Sequence, residues 1–111
     1  MKTIPIRPPQ VKLKLPAAPT ELEKPERSLW RKVVESYDFG TDSAALAILE
    51  SSLIARGRAR RCREIIDRDG ELTHDRFGQS RQHPLLPAER GAQGNFIAGM
   101  RSLGLSLGEQ L

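Results

Sequence analysis

The stretch Ser43–Asp69, SAALAILESSLIARGRARRCREIIDRD, decides the fold of this 111-residue chain. It contains no proline, Thr41 or Asp42 precedes it as a helix cap, and Gly70 follows it as a stop signal. The sequence therefore predicts one long helix over residues 43–69. A domain of this size buries a modest share of its surface, and its thin core favours completion by oligomerisation.

The predicted long helix carries five arginines and no acidic residue between positions 56 and 63. Such a run needs a polyanion, the acids of a partner or open water around it. The formal net charge is +4, and a basic excess with clustered arginine is typical of nucleic-acid binding. The candidate DNA-binding residues of this helix are Arg56, Arg58, Arg60, Arg61 and Arg63. A solvated helix face, or neutralisation by Glu64, Asp67 and Asp69, is the alternative interpretation.

One face of this helix changes from leucine to arginine halfway along. Leu46, Leu49 and Leu53 are followed at helical spacing by arginines. We expect the first half to pack against the first helix or a neighbouring subunit, and the second half to present charge. The predicted oligomer interface joins these leucines to residues of the third helix: Leu46, Leu49, Leu53, Leu86, Phe96 and Met100.

A first helix is predicted over residues 25–39. Pro25 suits a first helical turn, apolar residues recur at helical spacing, and Gly40 supplies the stop. Trp30 shares a face with Val34 and is interpreted as a core anchor.

The segment before this helix, residues 1–20, contains five prolines and four basic residues without an acid. Proline blocks helices and sheet ladders, so the sequence predicts a flexible, basic arm followed by a single domain over residues 21–111. Lys12 and Lys14 of this arm are further candidate DNA contacts, and a solubilising leader is the alternative.

Beyond Gly70, two short strands are predicted around Gly78, which would supply the left-handed position of a hairpin turn. His83-Pro84 then leads into a third helix over residues 85–103. The predicted fold class is therefore mainly α, with three helices at about 25–39, 43–69 and 85–103. A short β-hairpin separates the second helix from the third, and a ring-type homo-oligomer is expected.

The sequence contains no convincing catalytic or metal site. Cys62, His74 and His83 are too few and too irregularly spaced for a zinc site, and Cys62 lacks a fixed base. His74-Asp75 with Asn95 fits a nuclease motif only loosely, and no phosphate-binding loop is present. We therefore predict no enzyme activity, no cofactor and no metal.

The order of these features resembles the small terminase subunit of tailed double-stranded DNA bacteriophages and prophages. The resemblance covers residue 21 to the end of the chain. It rests on Leu29-Trp30-Arg31-Lys32-Val33-Val34, a capped long helix with Ile65-Ile66-Asp67-Arg68-Asp69-Gly70, a glycine-containing hairpin, His83-Pro84-Leu85-Leu86 and Leu103-Gly104-Leu105-Ser106.

The resemblance implies a non-catalytic subunit that assembles as a ring, recognises viral DNA for packaging and regulates the large ATPase and nuclease subunit. The implied partners are double-stranded viral DNA, the large terminase subunit and further copies of the chain. No apolar run would span a bilayer, so we expect no membrane partner and the cytoplasm of the infected or lysogenic bacterial host. A small basic transcription regulator or antitoxin, or a protein-interaction module without DNA binding, is the alternative.

Overall fold

The computed structural model of the chain describes residues 3–7 and 14–105. These ranges contain three helices and one antiparallel hairpin, which confirms the mainly helical class and the position of the hairpin. The elements in chain order are α1 (Lys24–Ser36), α2 (Ser43–Asp69), β1 (Leu72–His74), β2 (Ser80–Gln82) and α3 (Leu86–Ser102).

Helix α2 has the predicted bounds because both of its ends are capped. The carboxylate of Asp42 accepts a hydrogen bond from Ala45 N at 3.0 Å, which satisfies one of the free amides of the first turn. At the other end, Gly70 takes φ +91° and donates its amide to Ile66 O. Gly57 lies in the middle of this helix without interrupting it.

Helix α1 ends at Ser36, three residues before the predicted end at Phe39. Tyr37 is already extended, and it forms an antiparallel bridge with Ile6 from the N-terminal segment. Leaving the helix here lets Tyr37 and Phe39 turn into the core, where both are buried. Their burial, together with the distant pairing, outweighs the local helical pattern. Gly40 therefore belongs to the following turn and is not the helix stop.

The core lies where α1 and α3 pack against α2. Leu49, Leu53 and Met100 have no exposed surface, and they pack with Val33 and Val34 of α1 in one cluster. Three residues of the predicted oligomer interface are thus inside the protomer and have no surface for a neighbouring subunit. The interface residues Leu46 and Phe96 are partly buried against the same cluster, and Leu86 is half-buried.

The described part of the N-terminal segment lies on the helices and differs from the free arm that its composition predicts. Ile4 is buried and donates its amide to Leu103 O at 3.0 Å. The amide of Arg7 binds Ser36 O at 2.8 Å, and the Trp30 indole donates to Pro16 O at 3.0 Å. The buried Trp30 is the predicted core anchor. Of the two lysines assigned to DNA, Lys14 is exposed, and Lys12 lies outside the described residues.

Helices α2 and α3 approach each other closely at Ser52 and Gly99. A Cβ atom built on Gly99 would overlap the Ser52 hydroxyl and lie 2.9 Å from Ser52 Cβ. Ser52 is buried, and its hydroxyl donates to Ile48 O at 2.7 Å, so it has little room to move. The glycine at position 99 is therefore required by packing, although it weakens the helix intrinsically.

We expect Gly99→Ala to lower the free energy of unfolding by about 1–3 kcal/mol, because overpacking displaces helix α3. Gly94→Ala, on the same helix with nothing within 4 Å of its Cβ, is the matched control. The control should raise stability by roughly 0.5–1 kcal/mol through helix propensity. Urea unfolding followed by circular dichroism measures both, and equal effects of the two variants would contradict the packing argument.

Candidate nucleic-acid interface

Arg60 is held by a buried acid of the neighbouring helix α1. Its Nε and Nη2 atoms donate to the two carboxylate oxygens of Glu26 at 3.2 and 3.0 Å. The Glu26 side chain is only 2% exposed, so its charge depends on this bidentate partner. A Cβ atom at Gly57 would come 3.1 Å from the Glu26 carboxylate. Gly57 therefore provides the space in which the acid reaches α2.

Arg63 makes the equivalent contact with α3. Its Nε and Nη2 atoms donate to the two oxygens of Glu89, each at 2.6 Å, and the Glu89 side chain is 8% exposed. The hydrogen bond from Arg63 holds the pKa of Glu89 below its usual value, against the opposing effect of burial. Nη1 of the same guanidinium binds Asp67 at 3.3 Å and Glu71 at 3.2 Å. The donors of Arg63 are thus directed at acids of its own chain.

A third arginine of the run, Arg61, is half-exposed and pairs with Glu23 just before α1. The hydrogen bond from Arg61 lowers the pKa of Glu23. Arg60 also binds Glu64 and Arg63 binds Asp67, so neutralisation within α2 contributes as the sequence indicated, whereas Asp69 binds Arg68 outside the run. These pairs reduce the positive charge that the run can offer to a ligand.

Arg56 and Arg58 differ from the other arginines of the run. Both are exposed, and neither forms an ion pair with any residue of ranges 3–7 and 14–105. The guanidinium carbon of Arg56 lies 5.1 Å from the centre of the Phe96 ring, which holds this side chain without neutralising it. Of the five predicted DNA-binding arginines, these two keep free charge at the surface.

A cleft of about 380 Å³ lies over this part of α2, between α1 and α3. Arg56, Arg60 and Arg63 line it together with the acids Glu26 and Glu89. Because each acid is held by an arginine, Arg56 is left as the unpaired charge among these five residues.

The opposite side of the α2–α3 pair is lined by small and apolar residues. A groove of about 330 Å³ runs between Ile54, Ala55, Ala88 and Gly91, with the free Arg58 at its wall. Ile54, which lines this groove, is 44% exposed. The predicted interface was placed on the leucine face instead.

His83 lies before the start of α3, and both of its ring nitrogens are used in hydrogen bonds. Its Nδ1 accepts a hydrogen bond from Leu85 N at 3.1 Å, and its Nε2 donates to Asp69 at 3.0 Å. Arg68 and then His83 lower the pKa of Asp69 to about 2. Cys62 is a buried free thiol. In the part of the chain that the structure describes, no three histidine, cysteine or acidic side chains are grouped as a metal site requires.

Comparisons of the chain with family models, with curated proteins and with solved structures found no match. Within the described ranges, no helix combines the length and the apolar character needed to cross a membrane. The function is therefore argued from the contacts and charges described above.

The buried ion pairs predict a large difference between two neighbouring arginines. Arg60→Met should lower the free energy of unfolding by about 3 kcal/mol, because it leaves the buried carboxylate of Glu26 without its partner. Arg58→Met is the matched control and should change stability by no more than about 0.5 kcal/mol, since its charge is free at the surface. Urea denaturation compares the two, and equal stability would contradict the structural role of Arg60.

The lowered pKa values of Glu89 and Asp69 predict that acid destabilises the protein. A carboxylate with a lower pKa in the folded state stabilises the fold above its ordinary pKa, and this contribution is lost as the pH falls through the folded value. The melting temperature should therefore fall from about pH 5 downwards, towards the Asp69 pKa of about 2. Thermal melts of the parent and of Glu89→Gln measure this. A variant with the same pH slope as the parent would contradict the assignment.

Proposed function

We propose that this chain is the small, non-catalytic subunit of a phage terminase, which binds double-stranded viral DNA for packaging. The observation that carries the proposal is unneutralised arginine on the surface of α2, with Arg56 at the cleft and Arg58 on the opposite side of the α2–α3 pair. The order of a tryptophan-bearing helix, a capped long helix, a hairpin and a third helix also agrees with the order on which the resemblance rests.

The DNA contact that these side chains support is a contact with phosphates. Arginine binds phosphate oxygens through a planar set of donors, and such contacts give affinity that falls steeply with salt and reads little sequence. Two free arginines in one copy give weak binding. Several copies joined in one assembly would multiply the contacts and raise the affinity without any new interaction within the subunit.

The assembly is proposed to form through the outer face of the α2–α3 pair. Ile54 is an exposed apolar side chain of this face, and the groove beside Ala55 and Gly91 allows close approach of another backbone. When such a surface docks onto a different surface of the next copy, repeated docking builds a row of subunits. The row closes into a ring when the rotation between neighbouring subunits permits closure. This surface takes the place of Leu49, Leu53 and Met100, which the protomer uses for its own core.

The chemistry of packaging is assigned to the large subunit. The buried acids Glu26 and Glu89 are held in ion pairs, and Cys62 is buried within the protein. None of these groups is available to activate water or a phosphoryl group. The chain is therefore proposed to recruit DNA and to regulate the large ATPase and nuclease subunit.

The proposal is tested with native mass spectrometry and a duplex titration of the purified protein. The parent should form one closed oligomer that retains duplex DNA at low salt. Arg56→Gln, whose side chain lies away from the groove of the proposed subunit contact, should keep the oligomer and weaken DNA binding. The slope of log K against log salt should become shallower by about 1 for each copy that touches the DNA. Arg56→Gln with Arg58→Gln should weaken DNA binding at least tenfold.

Arg31→Gln with Lys32→Gln, two exposed cations of α1, is the control for the same loss of charge. Equal effects of the two double variants would mean that only net charge matters. A parent protein that is a monomer or dimer without DNA affinity would overturn the proposal and favour a protein-interaction module.

A further inference from the structure

The hairpin between α2 and α3 buries almost nothing. Its strand residues are exposed apart from the half-buried Thr73, and the turn carries Phe77, which is 73% exposed. Leu72 at its base is 63% exposed. A two-stranded hairpin is marginally stable on its own, so core packing does not explain why the chain maintains this one.

The turn of the hairpin is held by one carboxylate. Asp75 Oδ1 accepts hydrogen bonds from Phe77 N at 2.8 Å and from Gln79 N at 3.0 Å, and its Oδ2 accepts from Arg81 Nε at 3.1 Å. The bond from Gln79 and then that from Arg81 lower the pKa of Asp75. Gly78 completes the turn at φ +78°. The side chains at the tip are therefore displayed from a fixed backbone.

The base of the hairpin is fixed to the helices as well. His83 donates its amide to Glu71 O at 2.8 Å, and the Glu71 carboxylate binds Arg63 of α2 at 3.2 Å. Asp69 at the end of α2 binds the His83 ring. These contacts on both sides of the base hold the hairpin in a fixed orientation relative to the helices.

The charge left over at the tip is positive. The acids of the hairpin are neutralised, because Glu71 is paired with Arg63 and Asp75 with Arg81. Arg76 has no acidic partner among the described residues, and its guanidinium carbon lies 4.8 Å from the centre of the Phe77 ring. The turn thus presents an exposed cation next to an exposed aromatic ring. This pair suits a polyanion that also has flat apolar surfaces on which a ring can stack.

We propose that this tip is a second DNA contact, in which Phe77 wedges at a base step of the minor groove and Arg76 binds beside it. Apolar wedges of this kind partly unstack a step and bend the duplex, and arginine is attracted to the negative potential of the groove. This inference rests on the proposed function. The arginines Arg56 and Arg58 contact phosphates. The hairpin tip would supply a further contact, whose strength depends on the shape and deformability of the DNA.

The test measures duplex binding by fluorescence anisotropy with the full-length oligomer, and DNA bending by energy transfer between dyes at the duplex ends. Phe77→Ala should weaken binding at least tenfold with an unchanged salt slope, and it should abolish the bend. Arg76→Gln should weaken binding and make the slope shallower by about 1. Leu72→Ala, which removes an exposed apolar side chain from the base of the same hairpin, should bind like the parent.

The outcomes separate this inference from the proposed function. If Arg56→Gln with Arg58→Gln loses binding while Phe77→Ala binds and bends like the parent, the wedge is wrong and the proposed function stands. If the parent binds no DNA, the proposed function itself fails. If Phe77→Ala changes the mass of the oligomer in native mass spectrometry, the tip is a contact between subunits, and the inference is overturned.

Discussion

Two bidentate ion pairs hold the helices of this protein in register. Arg60 joins α2 to Glu26 of α1, and Arg63 joins α2 to Glu89 of α3. A buried pair of this kind contributes little net stability over an apolar pair, yet losing one partner is strongly destabilising. The two pairs therefore act chiefly by fixing position. Neither acid can move along α2 without becoming a buried, unpaired charge.

This constraint divides the arginines of the run into two sets, those paired with acids of the same protein and those left unpaired. Helix α2 uses one face for both its leucines and its paired arginines, so contacts with α1 and α3 continue through the buried acids Glu26 and Glu89 where the leucines end. Arg56 and Arg58 remain without an acid at the surface of the described protein, and Ile54 is exposed close by in the chain. Fewer arginines of the run carry free charge than its composition suggests, because Arg60, Arg61 and Arg63 form ion pairs with acids of the same protein.

The parts of the fold that the sequence predicts are those set by neighbouring residues. The caps at Asp42 and Gly70 bound α2, and the turn at Gly78 marks the hairpin. The end of α1 could not be predicted, because Tyr37 leaves the helix to pair with Ile6, 31 positions earlier in the chain. The roles of Arg60 and Arg63 were hidden for the same reason. Their acids lie 34 and 26 positions away, beyond any helical spacing that a pattern could detect.

The same division explains why assembly would be needed for the proposed function. The free arginines of the run and one hairpin tip can make only a few contacts with a duplex in one copy, and each is weakened by salt. The ion pairs keep α2, α3 and the base of the hairpin in a fixed relation, so every copy would present Arg56 and Arg76 in the same geometry. Repetition of a rigid unit adds contacts without adding conformational entropy to be lost at each one. A flexible arginine-rich segment with the same charge would lack this advantage.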